Sequence, residues 1–345
     1  MKKVIISLVS VLFLSTSIFA NEESQAYKST AGTIKDNTYY LFNLTEWQSL
    51  NYDKYITYLD LTQFNRGYFS GAKKLKNKGL FGISWNGDLW GNNVSNEIEM
   101  MYGNKNFSII AGGEFSNNSA ITSSTTSYST NYFSFKPLVK IGYVFNKKSS
   151  FEVGTSFKMA SADYSTTEQI EQTVIGASAK FNHTINSDKK MNDYFSLGYE
   201  GLFSNTTILD LSEIKNVITG EFGLNYKIKP EFVYGFKAVL PVTLNFTNDI
   251  LSTKIEASIS NGFSTKINDI VTLNAGLCTT LPFVQIVQDE DDLTFGSLGN
   301  IFYGGVTFNI KDFISLDLCG TISPDHTSLS ELWDKNFAIS VTAKF

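Results

Sequence analysis

Apolar and polar positions alternate with a period of two along most of this chain. The clearest run is residues 336–345, NFAISVTAKF. Phe337, Ile339, Val341, Ala343 and Phe345 fall on one side, and Ala338, Ser340, Thr342 and Lys344 on the other. Successive side chains of a strand point to opposite faces, so the run predicts a β-strand with one apolar and one polar face. The pattern recurs upstream. Phe133, Phe135, Val139, Ile141 and Tyr143 oppose Ser134, Lys136, Lys140 and Gly142, and Phe151, Val153, Phe157 and Met159 oppose Glu152, Ser156 and Lys158. Phe195, Leu197, Tyr199 and Phe203 oppose Ser196 and Glu200; Ile218, Phe222, Leu224 and Tyr226 oppose Glu221, Asn225 and Lys227. Further on, Tyr234, Phe236, Leu240 and Val242 oppose Lys237 and Thr243, and Ile255, Ile259 and Phe263 oppose Lys254, Glu256 and Ser260.

Short polar turns punctuate these runs at 104–106, 146–149, 187–192, 229–230, 268–269 and 311–312. Their spacing is roughly forty residues, which fits a long strand, a longer loop, a returning strand and a tight turn. No sequence repeat underlies the spacing. A hairpin over 79–104, with Phe81, Ile83 and Trp85 on one face, extends the series toward the N-terminus. Residues 55–64 and 67–74 give only a weak pair, because their alternation is poor. The count is therefore fourteen strands, with sixteen as the alternative. Several strands exceed the 9–11 residues or so that cross a bilayer at the usual tilt, whereas soluble strands average about 5–6.

The first twenty residues, MKKVIISLVSVLFLSTSIFA, break the pattern. Two lysines, an apolar run from Val4 to Leu14 and small residues up to Ala20 predict a secretory signal peptide cut after Ala20. Residues 21–53 have no clear period and are expected to form a periplasmic or lumenal segment. The barrel domain is expected over 54–345. After Ala20 no apolar run is long enough for a transmembrane helix, and only helices and closed barrels satisfy every backbone group in lipid.

The composition agrees. The chain has 345 residues, 14% aromatic and 18% charged, and its mean hydropathy is −0.07. Removal of Lys2 and Lys3 with the leader leaves 26 basic against 33 acidic residues, a net charge of −7. That balance excludes a typical nucleic-acid binder. Cys278 and Cys319 are too few for a disulfide scaffold and fall two strands apart, so they are expected to be free thiols.

The leader, the long alternating hairpins and the terminal Phe345 together resemble bacterial outer-membrane β-barrel proteins of the porin-like class. The resemblance covers nearly the whole mature chain as architecture, without a subfamily motif. It implies an all-β, transmembrane, antiparallel up-and-down β-barrel in the cell outer membrane. Its partners would be membrane lipid, and barrel-insertion machinery recognising the C-terminal strand through Phe345. Aromatics near strand ends, Trp85, Trp90, Tyr132, Phe151, Phe246 and Phe313, with Tyr194 among the others, are expected to form interface girdles.

On the barrel reading the polar face lines the lumen. It would carry Lys136, Lys140, Lys158, Lys180, Lys227, Lys237 and Lys254, with Glu152, Glu200, Glu221, Glu256 and Asp317. Charges of both signs point to a passive channel for small polar solutes, and the slight basic excess points weakly to anions. A lumen of this width must hold water or an inserted segment, because side chains alone fill only about eight strands. The alternatives are a surface adhesive or antigenic protein acting through its loops, and a transporter for hydrophobic substrates plugged by residues 21–53. A homo-oligomer is compatible with the sequence but not required by it. No cofactor or metal site is expected; Asp289, Glu290, Asp291 and Asp292 lack the spacing of a calcium loop. His183 and His326 have no spaced nucleophile, so no enzyme activity is expected.

Overall fold

The computed structural model describes residues 25–35, 43–49, 54–62, 66–76, 79–88, 93–118, 132–163, 169–188, 190–206, 211–247, 250–288, 294–310, 313–322 and 337–344. The expectations for residues 1–20, Trp90, 289–292, His326 and Phe345 lie outside them, as does the side chain of Tyr132.

Two short elements come first, α1 (Gln25–Lys28) and a single 3-10 turn at Trp47–Ser49. The other described elements are strands. The segments are β1 (Tyr55–Thr62), β2 (Arg66–Lys74), β3 (Leu80–Asp88), β4 (Asn93–Gly103), β5 (Phe107–Asn118), β6 (Tyr132–Val144) and β7 (Ser149–Asp163). Next come β8 (Gln169–Ser187), β9 (Met191–Thr206), β10 (Leu211–Lys229), β11 (Phe232–Thr247), β12 (Ile250–Ile255), β13 (Ser258–Lys266) and β14 (Val271–Thr280). The last are β15 (Val284–Val287), β16 (Thr294–Phe295), β17 (Gly299–Ile310), β18 (Ile314–Ile322) and β19 (Phe337–Lys344).

Every pairing among the described strands is antiparallel, and β1 closes the ring on β19, with Tyr58 opposite Thr342. Three wall strands are each interrupted once, so the nineteen segments make a sixteen-stranded barrel. This corrects the count of fourteen in favour of its alternative.

The interruptions have local causes. β12 and β13 both pair with β11 in one register, bridged by the Glu256 amide donating to the Pro241 carbonyl at 3.2 Å. Pro241 has no N–H to return, so the ladder loses a bond there. On the other side of this strand, Ile255 opposite Val284 and Ser258 opposite Thr280 leave one extra residue around Pro282, a β-bulge.

The N-terminal hairpin is regular, although its sequence alternates poorly. Leu59 and Phe69 point outward and are exposed, while Ile56, Tyr58 and Ala72 point inward and are buried. Both faces are apolar, so the period disappears from the sequence.

The tight turns lie at the end of the barrel where β1 begins and β19 ends. At 188–191 the Asp188 carboxylate accepts from the amides of Met191 (2.6 Å) and Lys190 (2.7 Å). Those amide bonds hold its pKa below the usual aspartate range. A depressed folded-state pKa contributes stability that is present above the ordinary value of about 3.9 and lost as pH falls through the folded value. An NMR titration in micelles should therefore show the Asp188 carboxyl, and the Lys190 and Met191 amides with it, moving only below about pH 3.9. A midpoint above that value would contradict the capped turn.

Candidate lumenal site

The outer surface of the wall is apolar and exposed: Phe135, Met159, Leu197, Leu240 and Phe302 are each 47–55% accessible. The inner face is polar and covered. Lys136, Lys140 and Lys158 point inward and are only 4–6% accessible, although lysine normally stays in water. Lys136 and Lys140 pair across the wall, and other parts of the inner face are covered by the chain's own N-terminal segment.

The pairing follows strand register. At one level of the barrel, Asp317, Ser340, Asp60, Tyr68, Asn86, Glu97, Glu114 and Lys136 sit opposite one another on successive strands from β18 to β6. Asp317 accepts from the hydroxyls of Thr307 (2.7 Å) and Ser340 (3.2 Å), and Asp60 from Tyr58 (3.2 Å). Lys136 pairs with Glu114 at 3.8 Å and Lys140 with Glu99 at 3.4 Å. Acidic and basic sectors thus share one wall.

The cover consists of two pieces. In the first, α1 ends in a Schellman-type turn: the amides of Gly32 and Ala31 donate to the carbonyls of Tyr27 (3.0 Å) and Lys28 (2.9 Å). Ala31 and Gly32 both adopt positive φ, 52° and 66°. The turn lies against inner-wall glycines. Gly235 pairs with Gly262 and Gly262 with Gly276 across β11, β13 and β14. A side chain at Gly235 would strike Thr33, one at Gly262 Thr30 and Thr33, and one at Gly276 the backbone of Thr30 and Ala31. Small residues here allow the turn to lie on the sheet backbone.

In the second piece, Asn43 caps the turn that carries Trp47, its side-chain oxygen accepting from the amides of Thr45 (3.1 Å) and Glu46 (2.9 Å). Trp47 lies over Gly103 and Leu44 over Gly142. With inward Ile56, Tyr58, Ala72, Leu80, Met101, Ile110 and Leu138 they form a buried apolar cluster inside the barrel.

A polar chain stitches both pieces to the wall. Lys237 Nζ lies 3.4 Å from the Tyr27 hydroxyl. Lys35 pairs with Glu46 at 2.8 Å and stacks 4.3 Å from the Tyr194 ring centroid. Tyr194 donates to Glu221 at 2.9 Å, and Thr45 donates to Glu152 at 2.7 Å, where Asn182 also donates at 3.4 Å.

The remaining lumen-facing expectations are placed as follows. Lys180 is opposite Glu152, Glu200 opposite Ser178 and Val217, and Lys227 is exposed at the tight-turn end. Lys254 pairs with Glu256 at 2.8 Å under the Phe283 ring, 4.4 Å from its centroid. The sequence reading missed Asp60, Glu97, Glu99, Glu114, Glu213 and Lys215, all inward by register; with them the basic excess on the wall disappears. Glu97 and Glu99 alternate with outward Ile98 and Met100, a signal that was available. Tyr194 is a correction: it faces the lumen and is 9% accessible, because Phe195 and Leu197 take the outward positions. Phe151, Phe246 and Phe313 are outward and exposed near strand ends; Trp85 also points outward and donates to Asn96 at 2.9 Å.

Cys278 and Cys319 are free. Ser149 Oγ lies 2.9 Å from His183 Nδ1 on the outer face, where the imidazole also contacts the Phe181 and Phe195 rings. Among the described residues no three His, Cys, Asp or Glu side chains gather to hold a metal, and no helix is long and apolar enough to cross a membrane.

No family model and no curated protein matches the sequence. The barrel is similar to CdiB from Escherichia coli, with a TM-score of 0.52 at 8% identity over 86% of this chain and 64% of CdiB. It is similar to CdiB from Acinetobacter baumannii, with a TM-score of 0.51 at 8% identity over 84% of this chain and 59% of that one. This chain thus spans about three-fifths of the CdiB length. The Pseudomonas putida toluene transporter TodX aligns over 96% of this chain and all of its own, at 11% identity and a TM-score of 0.48. The fold is that of a bacterial outer-membrane β-barrel. In an outer-membrane barrel the exposed apolar belt is the lipid face and the charged wall is the lumen.

Proposed function

We propose that this outer-membrane barrel is a passive channel for small polar solutes, narrowed by its own N-terminal segment. The observation that carries this is the inner wall. It presents charges of both signs, and its large apolar patch is already occupied by Leu44 and Trp47. A transporter for hydrophobic substrates would need an apolar track through the lumen. Sixteen strands leave room for an aqueous path beside the two inserted pieces. Because the wall charges are near balance, low ion selectivity is expected in place of a weak anion preference.

Planar-bilayer recording of the mature protein tests the reading. Small ohmic steps are expected from residues 21–345. Deletion of 21–53 should give steps several-fold larger, with a reversal potential near zero in a salt gradient. Silence from both proteins, each folded by heat-modifiable gel mobility, would overturn the channel and move the weight to surface binding.

A further inference from the structure

We infer that the tight-turn rim of the barrel is a docking surface for anionic phospholipid headgroups. The inference rests on the membrane-barrel reading but not on channel activity. Lysines crowd this one end. Lys54 precedes β1, Lys74 ends β2 and Lys76 follows it, and Lys105 lies in the turn after β4; all are exposed. Lys147 and Lys148 follow β6, Lys190 follows β8, and Lys227 and Lys229 close β10; these too are exposed. The opposite end reverses the sign. The sequence of its connections holds Asp210, Asp249, the run 289–292, Asp325, Glu331 and Asp334, with Lys335 as their one lysine.

Three carboxylates at the lysine-rich rim are committed within their own turns, while Glu231 is exposed there. Asp188 caps the Lys190 and Met191 amides, Asp193 accepts from Asn186 (2.9 Å), and Asp269 pairs with Lys266 (2.8 Å). Among the described residues, Lys76, Lys105, Lys147, Lys227 and Lys229 have no carboxylate at ion-pair distance. The rim therefore carries more ammonium than carboxylate groups, and these five ammonium groups are not ion-paired.

Its depth suits headgroups rather than bulk anions. Tyr102, Phe107, Tyr143, Phe145 and Phe151 point outward and are 36–56% accessible within a few residues of these turns. Such aromatics sit at the membrane–water boundary, which places the lysines just beyond it, at phosphate level. Lys54 and Lys73 show the arrangement directly, with their Nζ atoms 5.1 and 5.6 Å from the Tyr55 ring centroid. Lysine stems lie along apolar surface while their heads reach the interface.

An interfacial lysine favours an anionic lipid by roughly fivefold at close contact. Spread over a ring of mobile lipid, an overall enrichment of about threefold is expected. The test incubates mature protein in mixed micelles holding equal phosphatidylglycerol and phosphatidylcholine, then re-isolates it and measures the bound lipid. The phosphatidylglycerol excess should be about threefold at low salt and collapse at roughly 0.5 M salt, where the Debye length is only a few ångströms. A variant with Lys54, Lys76, Lys105, Lys147, Lys190 and Lys229 changed to Gln should lose the excess while keeping heat-modifiable mobility. Inorganic phosphate at about 10 mM, too dilute to add much screening, should not displace the lipid. Equal lipid binding by the wild type would overturn the inference. So would an excess that survives in the six-site variant, displacement by phosphate, or binding to peptidoglycan in place of lipid.

Discussion

Gly276→Trp should lift the 29–33 turn off the wall and raise single-channel conductance toward that of the protein lacking 21–53. A side chain at Gly276 meets the backbone of Thr30 and Ala31, which cannot swing aside as a flexible side chain would. Overpacking of this kind costs about 1–3 kcal/mol, a factor of roughly 5–150 in the docked population. Gly220→Trp is the control. That glycine faces outward opposite Leu240 and has nothing within 4 Å of an added Cβ. Its conductance should match the wild type. Equal conductance from the Gly276 variant and the wild type, with folding intact, would mean that the turn does not obstruct the ion path.

The contrast between the two glycines shows what the sequence could and could not reveal. Alternation placed Lys136, Glu152, Glu221 and Asp317 on the polar face, because period two reports face directly. It also gave the hairpin order, since turn spacing is local. It did not say what a glycine faces. Gly235, Gly262 and Gly276 form a bed because register aligns them on neighbouring strands, and register across a barrel depends on every preceding turn.

The cover itself was equally hidden. Leu44 and Trp47 lie in a stretch with no period, and their partners Ile56, Tyr58, Leu80 and Met101 are apolar residues on what should be the polar face. In the sequence these positions read as noise in the alternation. In the structure they mark where the wall is covered from inside. The strand count failed for the same reason: β1 and β2 were discounted because the inserted segment gives their inner face an apolar character. A defect in period two within a barrel therefore has a physical meaning, namely contact with something other than water.

The outward face makes the opposite demand, and it yields the larger stability effect. Leu197 is 55% accessible in the middle of β9, opposite Phe181 and Gly220 on its neighbours. If that surface meets lipid, Leu197→Arg should destabilise the barrel by about 2–4 kcal/mol, the cost of an arginine near the bilayer midplane. Ile228→Arg makes the same chemical change on an outward residue of similar accessibility, 53%, but beside a tight turn. There the cost should fall to about 0–1 kcal/mol, because the guanidinium reaches the headgroups. On a surface facing water both changes would stay within about 0.5 kcal/mol. Urea titration in phospholipid vesicles separates the cases. A large loss at 197 with little at 228 requires a membrane of finite thickness around the barrel. Equal small losses would contradict the lipid face, and equal large ones would show that the tight-turn end lies deeper than the interface.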